Sequence, residues 1–164
     1  MRAGIEWSIE RRREAWGWLF PATYALHIVE ELWGGAGFTA WLGRVAGVWM
    51  EARQFFIWNA LALVLMCVGV LVARRFEQVR WLLVAYAVAF TLNALTHLAA
   101  SLYTISYSPG LVSGLLLWLP LGAHTLLSYR KTLSRRGRRA GLFVGLSMHC
   151  VVLALTLWGG RLNF

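Results

Sequence analysis

The chain has 164 residues, of which 59% are hydrophobic, and a formal net charge of +9. Soluble domains run nearer half apolar, so this composition excludes an ordinary soluble core and indicates one compact membrane domain. The positive charge does not mark a nucleic-acid binder, because the basic residues fall between long apolar runs, where topology and contact with anionic lipid account for them.

In chain order, the stretch up to Ala15 mixes Ile5, Trp7 and Ile9 with Arg and Glu and reads as a segment lying on the membrane surface. Five apolar runs follow, near 16–33, 54–73, 81–101, 110–129 and 140–160. Each is close to the ~20 residues a bilayer requires. The fold predicted is therefore an all-α integral membrane bundle of five transmembrane helices. The first run is expected to be retained, since Pro21 and the Glu30-Glu31 pair interrupt it and no small-residue cleavage site follows. Between the first two runs, Phe38, Trp41, Leu42, Val45, Val48 and Trp49 recur at helical spacing. They predict an interfacial helix on the outer face, serving as a plain connector or as a lid.

Thirteen of the sixteen Lys and Arg residues fall on one side of this topology: Arg2 and Arg11 to Arg13 before the first run, Arg74, Arg75 and Arg80 after the second, and the Arg130 to Arg139 cluster after the fourth. Only Arg44, Arg53 and Arg161 fall on the other. The positive-inside bias puts the N-terminus in the cytoplasm and the C-terminus outside. The excess of Arg over Lys fits a GC-rich bacterial source and hence a bacterial inner membrane.

Further along, Ser108-Pro109 before the fourth run predicts a helix start capped by Ser, and Pro120 predicts a kink. Gly110 and Gly114, and Gly137, Gly141 and Gly145, form small-residue stripes suited to close helix packing or to a homodimer face. Cys67 and Cys150 lie mid-run without metal-site spacing and read as buried structural thiols.

The candidate site lies inside the apolar runs. His27, Glu30 and Glu31 share one helix face in the first, and Asn93 and His97 share one in the third. Ionisable residues at such positions are functional candidates because they are costly in lipid. At ~1.5 Å per residue, Glu30 and Glu31 lie within about 5 Å of the outer end of their run, His27 about 9 Å below it, His97 about 6 Å and Asn93 about 12 Å down, with Asn59 of the second run at roughly 8 Å. All share one level in the outer half of the membrane. His124 and His149 lie deeper and read mainly as packed histidines. Trp33, Tyr103 and Tyr107 read as interface-belt aromatics, and Glu51 and Arg53 as surface charges.

Two carboxylates beside two imidazoles would leave about two negative charges in a low-dielectric site. A divalent metal, zinc or iron, held by His27, Glu31 and His97 would offset them, with Glu30 as general base and Asn93 orienting a ligand or substrate; the two Glu roles are interchangeable at this level. Protonated carboxylates acting as acid and base, or protonated imidazoles in structural ion pairs, are the other resolutions.

At these residues the chain resembles the HXXEE-domain family of small integral membrane proteins, through His27, Glu30 and Glu31 followed by Asn93 and His97, and through the stretch Tyr107 to Ser113. The resemblance implies a membrane protein with a catalytic or metal-binding role and no settled reaction. A weaker similarity, through His27 and Glu31 alone, is to the emopamil-binding sterol isomerases, which are five-span proteins using His and Glu for proton transfer. Together these readings favour an intramembrane, metal-dependent hydrolase of a lipid-like or apolar small molecule. A metal-free isomerase or cyclase and a non-catalytic binding or transport protein are the alternatives.

Overall fold

The computed structural model describes residues 15–158. The surface segment expected before Ala15, its arginines and Arg161 lie outside the described residues. Every regular element among the described residues is helical.

A 3₁₀ turn, Ala15–Trp18, leads into α1, Leu19–Trp33. A short amphipathic helix, α2, follows at Phe38–Ala46, with Trp41, Leu42 and Gly43 buried and Arg44 and Val45 exposed. It starts after Gly37 at φ 80° and stops at Gly47 at φ 65°, left-handed backbone that glycine adopts without a Cβ penalty. Next come α3, Ala52–Arg75, and α4, Trp81–Thr104, with the turn Glu77–Val79 between them. Glu51, expected as a surface charge, is exposed and forms a reciprocal capping box with Gln54 at the start of α3. The chain then forms α5, Leu111–Tyr129, and α6, Arg135–Trp158.

α3, α4, α5 and α6 are long and apolar enough to cross a membrane. α1 has 15 residues, about 22 Å of helix at 1.5 Å per residue, which falls short of a ~30 Å hydrocarbon core on its own. Four helices, where five were expected, therefore meet the length requirement unaided.

α4 is the central helix. It buries Leu83, Val84, Ala85, Tyr86, Ala87, Phe90, Ala94 and His97 between α5, α6 and α3. Along α6, Gly141 and Gly145 face it so closely that a Cβ at Gly145 would come within 2.5 Å of the Ala85 carbonyl oxygen. Gly114 of α5 likewise lies against Ala94. Gly114, Gly141 and Gly145 are thus filled by the chain's own helices, the close packing that their spacing allowed. Outward-facing surfaces are apolar, including Phe56, Ile57, Leu61, Val64 and Leu65 on α3 and Leu142, Phe143 and Leu146 on α6. Cys150 is exposed and Cys67 half-buried, both free, so neither is the fully buried thiol expected of it.

α1 runs antiparallel to α3. Gly17, just before α1, sits beside Val70 and Leu83, Tyr24 donates to Asn59 Oδ1 at 2.6 Å, and Phe38, just beyond α1, packs on Phe55. α5 is interrupted by a π-helical turn, Gly114–Trp118, immediately before Pro120. The π-turn's last bond runs from Leu119 N to the Gly114 carbonyl, and Trp118 lies inward, where the side chain is 1% exposed.

Candidate metal centre

α1 and α4 bring His27, Glu31 and His97 together, although 66 positions separate Glu31 from His97 in the chain. All three are buried, and one ligand atom from each lies within 4.8 Å of the others. Glu31 Oε1 is the shared vertex, 3.5 Å from His27 Nε2 and 3.6 Å from His97 Nε2. Tetrahedral ligation at ~2.0–2.1 Å places neighbouring ligand atoms about 3.3 Å apart, close to these separations.

The other ring nitrogens are engaged. His27 Nδ1 is 2.8 Å from Ser113 Oγ, and His97 Nδ1 is 3.0 Å from Ser108 Oγ. The Ser113 hydroxyl donates to the Gly110 carbonyl. Ser113 Oγ therefore accepts from His27 Nδ1–H, which leaves the Nε2 lone pair facing Glu31. His27 Nε2 is buried with no hydrogen-bond partner. A buried polar atom left in that state costs about 1–3 kcal/mol, and a cation between Nε2 and Glu31 would offset it. Among the described residues, the donor set, spacing and tautomer fit a divalent metal.

Glu30 stands apart from this triad. Its carboxylate accepts from Tyr107 Oη at 2.5 Å, from Val112 N at 2.8 Å and from Ser113 N at 2.6 Å. The last two are free N–H groups of the first turn of α5, where a carboxylate is also favoured by the helix dipole. Tyr107, read from the sequence as a belt aromatic, is thus tied to α1. Its ring lies across Gly34 and Gly35. Partial burial first, then the Glu30 carboxylate, push its phenol above the ordinary value, so it remains a donor. Ser108 does not cap α5 as its spacing suggested, because its hydroxyl is spent on His97 and Gly110 precedes the helix.

Asn93 is half-buried one turn from His97 on the same face of α4. Asn59, at the expected level, is taken up by Tyr24 and the Phe55 carbonyl. The deeper histidines do not join: His124 is exposed against the Trp16 ring, and His149 bonds Thr96 between α4 and α6. Trp33 and Tyr103 are exposed, Tyr103 at 90%.

Aromatic side chains floor the site. Trp118 stacks on His27 at 3.8 Å between ring centroids and on Phe90 at 4.1 Å, with Phe20 and Tyr86 beyond. On the outer side, a cavity of about 90 Å³ touches Glu31, Gly37, Phe38, Thr39 and Phe55. A larger one, about 230 Å³, lies away from the triad beside Arg80, Tyr129 and Ser134. The smaller is the one that reaches the chemistry.

A family model described as "Protein of unknown function with HXXEE motif" matches residues 18–125, more than half of the chain. The chain belongs to the HXXEE family. The matched region carries all three triad residues together with Glu30, Asn93, Ser108 and Ser113. No curated protein and no solved structure matches. Beyond the HXXEE residues themselves, the two serines, Gly110 and Trp118 are the site residues that sequence reasoning missed. Ser and Gly are common in loops and Trp is common at membrane interfaces, so only their contacts reveal them.

Proposed function

We propose that this HXXEE protein is an intramembrane enzyme that uses a divalent metal, zinc or iron, held by His27, Glu31 and His97, to hydrolyse a lipid-like or apolar small molecule. The observation that carries the reading is the convergence of two Nε2 atoms on Glu31 Oε1 with both Nδ1 atoms already bonded. A metal there supplies Lewis acidity and a nucleophile at neutral pH. His27 and His97 bind through Nε2, and their serine partners at Nδ1 restrict ring rotation. Glu31 adds the negative charge and borders the 90 Å³ cavity, room for about three waters. The Phe38 and Phe55 rings make that approach apolar. Glu30 is the second carboxylate near the site, and Asn93 a polar group available to orient a substrate.

The same reading includes five spans. The Ala15–Trp18 turn and α1 together run from the level of Tyr129 and Val70 to that of Phe55 and Ser113, alongside most of α3. The arginine distribution supports a cytoplasmic N-terminus and an outer C-terminus in a bacterial inner membrane, and on that reading the site lies in the outer half. A metal-free isomerase or cyclase is the second reading, favoured by the Trp118 and Phe90 faces beneath His27, which suit a cationic intermediate. Transport is less well supported, because among the described residues an aromatic floor lies under His27 and both His124 and His149 stand apart from the triad.

Elemental analysis of the detergent-purified chain, wild type beside His97→Ala, tests the first reading. Near-stoichiometric zinc or iron that is lost in the variant supports it. Folded wild type that stays metal-free after metal addition and dialysis refutes it.

A further inference from the structure

The HXXEE motif has two adjacent glutamates, and in this chain they face different partners. Glu31 points to the imidazoles. Glu30 holds the segment that carries both serine partners of those imidazoles, through Tyr107 at one end and the backbone of Val112 and Ser113 at the other. Between these ends, Ser108 reaches His97 and Ser113 reaches His27. Gly110 lies so close to both rings that a Cβ there would come within 2.6 Å of His27 Cε1 and 2.8 Å of His97 Cε1.

From these contacts we infer that Glu30 is a positioning residue: it latches the 107–113 segment onto α1, and that segment sets the aim of both histidines. The inference rests on the metal reading for its effect on the site, though the latch itself does not. The chemistry favours a latch over a base. A general base must present a free lone pair to the proton it takes, and three charge-assisted hydrogen bonds leave this carboxylate only about one of its four acceptor sites. Exchange of its negative charge for an amide turns one backbone contact unfavourable in either orientation, because Val112 N and Ser113 N reach different oxygens and an amide NH₂ cannot accept from a backbone N–H. Outer contacts of this kind govern metal affinity by restricting ligand orientation.

The full-length protein in detergent provides the test, with zinc alone as the probe, titrated against a chromophoric chelator. Glu30→Gln is expected to weaken zinc binding by about 10–100-fold, and Tyr107→Phe by less, while Glu51→Gln, in the unrelated α3 cap, leaves affinity unchanged. Cobalt in place of zinc adds a geometric readout: its visible absorption should change shape in Glu30→Gln and not in Glu51→Gln. Hydrogen–deuterium exchange across 106–114 in metal-free protein supplies a readout that needs no metal, and it should quicken in both Glu30→Gln and Tyr107→Phe. Wild-type affinity, cobalt spectrum and exchange in Glu30→Gln would overturn the inference, and loss of turnover alone with those three intact would assign Glu30 as the base. Zinc-free wild type would refute the metal reading, and exchange across 106–114 would then decide the latch on its own.

Discussion

Glu30 and Glu31 are neighbours in sequence and diverge by one helical step, about 100°. That step sends one carboxylate to the imidazoles and the other to the head of α5. At the same scale, Gly110 carries two constraints at once: φ 99°, which L side chains rarely adopt, and direct contact with both imidazoles. Gly110→Ala is therefore expected to destabilise the protein by about 3 kcal/mol, from left-handed strain and overpacking together, and to abolish zinc binding. Thermal unfolding in detergent with parallel metal analysis measures both. Gly47→Ala is the control, since it has similar backbone at φ 65° but no neighbour within 4 Å, and it should keep the metal while losing stability.

Among the elements, α4 does most of the organising. It presents His97 to α1 at one level and receives Gly141 and Gly145 of α6 at another. Lipid gives no hydrophobic drive between helices, so this contact depends on close backbone approach. Gly145→Leu should displace α6 from α4 and lower stability by about 1–3 kcal/mol, with zinc stoichiometry retained, because no triad residue lies on α6. α4 itself ends in an uncommon way. Ile105, a β-branched residue, takes φ 47° so that its N–H and that of Ser106 can reach the Ser101 carbonyl. Glycine is the usual occupant of that position. Ile105→Gly should raise stability by about 1 kcal/mol, read as a higher unfolding midpoint; its side chain is 94% exposed, so little packing is lost.

For the whole molecule, the question that decides the site's setting is whether α1 crosses the bilayer. Four helices qualify by length and composition. α1 gains its reach from the preceding 3₁₀ turn and its shelter from α3 and α5, and it turns Phe20 and Glu31 toward α4 and His27 toward α4 and α5. A segment that hides its charges inside a bundle need not be apolar throughout. An N-terminal fluorescent reporter should glow and a C-terminal periplasmic phosphatase reporter should be active, because five crossings put the termini on opposite sides. Both termini on the same side would remove α1 from the count and place Glu30 and Glu31 at the membrane surface.

Much of this was legible in the chain itself. Hydropathy and length marked the four long helices, since a bilayer imposes ~20 apolar residues regardless of packing. Helical spacing and the cost of charge in lipid singled out His27, Glu31 and His97, and counting residues from the run ends put them at a common depth. What the chain could not reveal was direction. Glu30 and Glu31 are chemically identical, and only the rotation of α1 against α5 assigns one to the imidazoles and the other to the latch. Ser108 looked like a helix cap because local rules see only the next few residues, whereas its hydroxyl is claimed by His97, 11 positions earlier. The glycine stripes marked close helix packing without naming the partner, which for Gly114, Gly141 and Gly145 is α4. Periodicity and transfer cost are properties of a segment and can be read from it; the partner of a hydroxyl, a carboxylate or a bare backbone depends on how segments meet.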